Sequence, residues 1–157
     1  MTATKVIGES VKRTNRTFIK SYVEDYAKAI TENYRRYHIR TLNGNIHGNY
    51  PEYAREQLDA IENGTANLMK FKVYTGKRYY KIVQQEFETW EKSRNYGKYA
   101  DHSVHCFVDK ETGDVYKPAS WSAPAKHIRF TFQNVDHLKF LLNPDNVGWA
   151  GGYLYLR

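Results

Sequence analysis

Residues 117–129, KPASWSAPAKHIR, hold the side chains best suited to recognising a ligand. Pro118 and Pro124 stiffen a stretch otherwise built of Ala and Ser, so Trp121 is presented on a backbone with few conformations. Lys117, Lys126, His127 and Arg129 surround it. A fixed aromatic ring among cations suits nucleic acid, because bases stack on the ring while cations track the phosphates. The competing structural reading is that Trp121 folds back as a lid on the sheet. A second cation group lies in YRRYHIR (34–40), where Arg35, Arg36 and Arg40 interleave with Tyr34 and Tyr37. Cations there also complement a helix C-terminal dipole, which explains them without any ligand.

The histidines invite a catalytic or metal-binding reading that their spacing does not support. His102 and His105 are three apart, and in one strand that separation points them to opposite faces. No HxH or HExxH pattern accompanies them. A two-histidine phosphoesterase needs Ser or Thr two residues after each His, but Phe107 follows His105 and Arg129 follows His127. Ser120 and Ser122 lack the glycine context of a nucleophile elbow. GxxxxGK and GxGxxG are absent, and Glu86 and Glu88 read as solvated charges. The sequence therefore assigns no catalytic residue, no metal ligand and no cofactor. A small hydrolase or nuclease using His102, His105 or His127 stands as the third of three functional readings.

Charge frames the other two. The 157 residues carry a formal net charge of +7 with a pI near 9.4, which favours an acidic partner: nucleic acid or an acidic protein surface. The leading reading is a non-enzymatic protein that binds nucleic acid through Arg35, Arg36, Arg40, Lys117, Trp121, Lys126, His127 and Arg129. The alternative is a protein-interaction module. The one cysteine, Cys106, excludes an intrachain disulfide and reads as a buried thiol within a strand. No apolar run reaches the roughly 20 residues of a membrane span, and the N-terminus lacks a secretory leader pattern. These features predict a reducing, intracellular setting without membrane contact.

The elements that must position these residues follow from periodicity. Residues 1–16 are polar and basic and read as a mobile arm or a loosely attached first turn. From Thr17, the apolar series Phe18, Tyr22, Val23, Tyr26, Ala27, Ile30 and Tyr34 marks one face of a helix that ends near residue 40. Asn- and Gly-rich residues 41–51 predict a loop, and Pro51 opens a second helix over 51–62, stopped by Asn63-Gly64. The period then becomes two. Strands are predicted at 70–74, 78–83, 104–109, 114–117, 127–132 and 149–157, with a tight turn at 110–113 using Gly113. Residues 84–101 fit either a longer second strand or a short helix, and 135–142 a short helix stopped by Pro144. The fold expected is a single α+β domain over 1–157. Its N-terminal helices pack on one face of an antiparallel sheet of about five or six strands.

The run FVDKETGDVYKPASWSAPAKHIRF (107–130), with the closing GGYLYLR, resembles a group of small uncharacterised proteins of tailed bacteriophages. Those proteins carry a motif like VDKKTGDVYKPASWKAPAK near the C-terminus. The resemblance covers residues 66–157 and leaves the N-terminal helices outside it, and 84–101 reads as an insertion. It implies a phage-encoded accessory protein in the host bacterial cytoplasm or in the virion. It implies no activity and no catalytic residues.

Overall fold

The computed structural model describes residues 2–156, with side chains from Phe18 onward. Helix α1 spans Thr2–Ile46 and α2 spans Pro51–Glu62. Five strands follow: β1 (Lys70–Thr75), β2 (Tyr79–Phe87), β3 (Tyr99–Asp109), β4 (Asp114–Tyr116) and β5 (Phe130–Thr131). A short helix α3 (Val135–Leu141) and a 3-10 turn (Gly152–Leu154) complete the chain. The strands form one antiparallel meander in the order β1-β2-β3-β4-β5. This is the expected α+β class, with helices on one face of the sheet.

The core forms where the stripe of α1 meets alternate residues of the strands. Val23, Tyr26 and Ile30 are fully buried against a cluster that includes Phe71, Ile82, Cys106, Val108 and Val115. Each aliphatic side chain in such a position contributes about 1.5–3 kcal/mol by leaving water. Phe132, Leu141, Val147 and Leu154 close the C-terminal end of the same cluster. Alternation sends Lys70, Lys72, Tyr74, Tyr79 and Lys81 to the opposite, helix-free face.

The β3–β4 turn forms as its residues dictate. Asp109 Oδ1 accepts from the backbone N–H of Glu111 (2.8 Å) and Thr112 (3.1 Å), and Gly113 takes φ +74°. A Cβ at Gly113 would stand 3.1 Å from Cβ of Phe132, so the turn requires glycine for both conformation and space. α2 likewise begins at Pro51 and ends at Asn63, as expected.

Four regions depart from, or resolve, the sequence reading. α1 does not stop near residue 40 but continues through the Asn- and Gly-rich segment to Ile46. Leu42 and Ala54 are buried outside the main core cluster, where α1 meets α2. That burial outweighs the roughly 1 kcal/mol that a helical glycine costs. Residues 84–87 extend β2 and residues 99–103 extend β3, so the ambiguous segment is a long hairpin whose strands end at the Phe87–Tyr99 pair. The strand expected over 127–132 shrinks to Phe130–Thr131, because His127 adopts φ +72° and turns the chain. The last predicted strand is replaced by the 3-10 turn: Gly151, at φ +82°, reverses the backbone so that Leu154 can plug the core. The arm read at residues 1–16 falls where side chains lie outside the described residues; the backbone from Thr2 belongs to α1.

The helical tail of α1 gives a direct test. Gly44 lies inside it with open space where a Cβ would sit. Gly44→Ala is therefore expected to stabilise the protein by about 0.5–1 kcal/mol in urea denaturation. No gain, or a loss, would show that residues 41–46 are not helical in solution.

Candidate nucleic-acid interface

The helix-free face is covered in part by the strap, residues 117–129. Its backbone closes on itself: Pro118 bridges Pro124, the N–H groups of Ala119 and Ser120 reach Ala123 O, and the Ala125 N–H donates to Lys117 O at 2.7 Å. Ser120 Oγ accepts from the N–H groups of Ser122 and Ala123. These bonds fix Trp121 at the tip of a small rigid loop. Beneath it, Val83 and Phe107 are almost fully buried although neither belongs to the main core. Lys81 joins the two layers: its ammonium donates to Trp121 O at 3.0 Å and stands 4.2 Å from the indole centroid. Trp121 remains 47% exposed. It therefore both covers the sheet and presents part of its ring to solvent.

Between this tip and the β1–β2 turn lies a cleft of about 520 Å³, lined by Tyr74, Tyr79, Phe107, Trp121 and the cations Lys77, Arg78 and Lys81, with Asp101 and Ser122 among the other residues. Tyr79 packs edge-on against both Phe107 and Tyr116. Arg78 lies over the Tyr79 ring at 5.2 Å and leaves most of its side chain in solvent. Asp101 accepts from Tyr74 Oη at 2.8 Å and from Gln85 Nε2 at 2.7 Å, and the bond to Asp101 is the main cause of a raised Tyr74 phenol pKa. Lys72 above Tyr74 and Lys70 above Tyr99 continue the pattern of cation over ring along the same face.

The residues nominated from sequence are distributed unevenly around this cleft. Trp121 lines it. Lys117 sits at the other end of the strap, 4.5 Å over the Tyr155 ring, beside a smaller pocket of about 270 Å³. Lys126 and His127 are exposed beyond it. Arg129 is used internally, donating to the carbonyls of Leu154, Lys126 and His127, each at 2.7 Å. Arg35, Arg36 and Arg40 lie on α1, on the far side of the sheet. There Arg35 and Arg36 pair with Glu32, and Arg36 also reaches Asp145 at 3.1 Å. The structure thus does not gather the eight residues into one surface. It groups Trp121 instead with Tyr74, Lys77, Arg78, Tyr79, Lys81 and Phe107. The signal for Tyr74, Tyr79 and Lys81 was the alternation of KFKVYT and RYYKIV: with helices on one face, the intervening Lys and Tyr residues must share the other.

The histidines also separate. His102 is exposed, within 3.4 Å of Gln84 and Ser103. His105 is buried on the core side, where Nε2 meets Tyr153 Oη at 2.7 Å and Tyr153 Oη meets Tyr26 Oη at 2.5 Å. Burial lowers the His105 pKa to about 4 and pushes the adjacent Cys106 thiol up to about 12. Both groups are neutral at physiological pH and serve a satisfied core network. Among the described residues, no cluster of three His, Cys, Asp or Glu side chains is arranged to hold a metal ion, and no helix is long and apolar enough to cross a membrane.

The profile of a family of unknown function, DUF7717, matches residues 6–156. The chain belongs to this family. No curated protein and no solved structure matches it. The match covers α1 from residue 6, the whole sheet and the strap, so the cleft lies wholly within the part of the chain that defines DUF7717 membership.

The buried imidazole sets a pH dependence. In the unfolded chain His105 takes a proton near pH 6.5, whereas in the native state it resists protonation down to about 4. Its contribution is complete above pH 6.5 and falls as the pH drops towards 4, by up to about 3 kcal/mol. Denaturation midpoints compared between pH 7 and pH 4.5 are expected to fall more steeply for the wild type than for His105→Gln. Equal slopes would remove His105 as the cause.

Proposed function

We propose that this chain is a phage-encoded accessory protein that binds single-stranded nucleic acid across the helix-free face of its sheet. One observation carries the reading: the rings of Tyr74, Tyr79 and Trp121 and three cations line one open cleft floored by the buried Phe107, and the strap holds Trp121 rigidly. Exposed rings accept bases of any sequence by stacking, worth about 1–3 kcal/mol per base, and flanking cations gain affinity by releasing counterions from the phosphates. A single strand can splay its bases onto such a surface, whereas a duplex keeps them stacked within itself. The net charge of +7 supplies a long-range attraction for the same partner. The resemblance of the strap and its preceding hairpin to proteins of tailed bacteriophages supports the phage origin, and with it a place in the host cytoplasm or the virion.

The test is fluorescence anisotropy with labelled single-stranded DNA and RNA oligonucleotides over a salt series. Affinity is expected to fall steeply and linearly in log–log form as salt rises. Trp121→Ala is expected to weaken binding about ten-fold or more, while the pair Arg35→Ala and Arg36→Ala changes it by less than about three-fold. Absence of binding to any single strand at low salt would overturn the proposal. A stronger loss from the α1 pair than from Trp121→Ala would move the interface to the helix.

A further inference from the structure

We propose that the cleft selects guanine among the bases it stacks. The inference rests on the nucleic-acid reading above and adds base selectivity to it. Its basis is Asp101, among the described residues the one acidic side chain lining a cleft that otherwise offers Lys77, Arg78 and Lys81. A carboxylate there repels phosphate, so it works against general affinity for a polyanion. It is nevertheless held in place with care. Tyr74 Oη lies 2.8 Å from Oδ1 and 3.0 Å from Oδ2, while Gln85 Nε2 adds a bond to Oδ1 at 2.7 Å. Gln85 is itself buried, so this support is fixed by the sheet rather than by a mobile surface chain. Oδ1 is largely occupied by these donors. Oδ2 shares only the Tyr74 hydroxyl and keeps acceptor capacity on a side chain that lines the cleft.

An ionised carboxylate only accepts hydrogen bonds, and the four bases differ in what they offer it. At its Watson–Crick edge guanine presents two adjacent donors, N1–H and the N2 amino group. Adenine and cytosine present one amino group beside a ring nitrogen that is an acceptor and repels the carboxylate. Thymine and uracil present one imide N–H between two carbonyl oxygens. Guanine alone can direct two adjacent donors at the one carboxylate oxygen left open, whereas adenine, cytosine, thymine and uracil can each give it only one. Trp121 and Tyr74, on the same cleft, supply rings against which the base can lie. Lys77 and Arg78 line the same cleft and supply positive charge for its phosphate, with Arg78 exposed although it also pairs with Asp109 at 3.7 Å.

The experiment uses the full-length protein and short thymine-rich single strands that differ at one central position, carrying guanine, adenine, cytosine or thymine, in DNA and RNA (uracil for thymine) versions. The guanine strand is expected to bind about ten-fold more tightly than the other three. In Asp101→Asn, whose amide mixes donor and acceptor, the four strands are expected to fall within about two-fold of one another. Binding that is sensitive to Trp121→Ala but equal for all four bases overturns guanine selection and leaves the nucleic-acid reading intact. Absence of binding to any strand overturns both. Because the wild-type comparison alone decides the preference, the outcome does not depend on the variant folding.

Discussion

The arrangement depends on how one stripe of α1 is buried. Val23, Tyr26 and Ile30 take up the apolar side of the central strands, and α3 with the closing 3-10 turn completes the same layer. The sheet then has one face with helices and one without. A sheet face that stays open must be polar, covered, or used. This chain combines all three: lysines along β1 and β2, a strap over Val83 and Phe107, and an aromatic cleft between strap and turn.

The same burial brings polar atoms into the core and obliges them to find partners. Tyr26 cannot bury its hydroxyl alone at no cost, and its partner, Tyr153, comes from a segment 127 residues away. Tyr153 in turn meets His105 at the irregularity in β3 opposite Ile82 and Val83. A bulge that places both His105 and Cys106 towards the core makes this chain of contacts possible. Among the described residues, no buried side-chain nitrogen or oxygen is left without a partner. The network ties the first helix, a central strand and the C-terminus together, so the two ends of the chain are joined by polar as well as apolar contacts.

On the open face, the strap turns a sequence feature into a surface. Two prolines alone would stiffen residues 118–124 without aiming them. Aim comes from the Lys81 bond to Trp121 O at one end and from the three carbonyls gathered by Arg129 at the other. Arg129 therefore acts on the cleft through the backbone, although its charge first suggested direct contact with a ligand. Lys81 has a similar double use, since its ammonium holds the indole while adding positive potential beside it. Charge counted along a sequence does not distinguish cations that hold the fold from cations left free for a partner.

Local chemistry made much of the architecture legible. The 3.6-residue stripe over 18–34, Pro51 and Asn63-Gly64 around α2, and Asp109 with Gly113 at the hairpin turn each act within a few residues, and each forms as read. The Asn- and Gly-rich tail of α1, the shortened β5 and the absent final strand are not encoded locally because distant partners decide them: α2 covering Leu42, the carbonyls around Arg129, and the core pocket that receives Leu154. The site divides in the same way. Sequence alone fixed that Trp121 is rigidly presented and that the chain is basic. Only the tertiary structure decided which cations stand beside that ring, because facing is set by which side of the sheet the helices occupy. No local propensity encodes that choice.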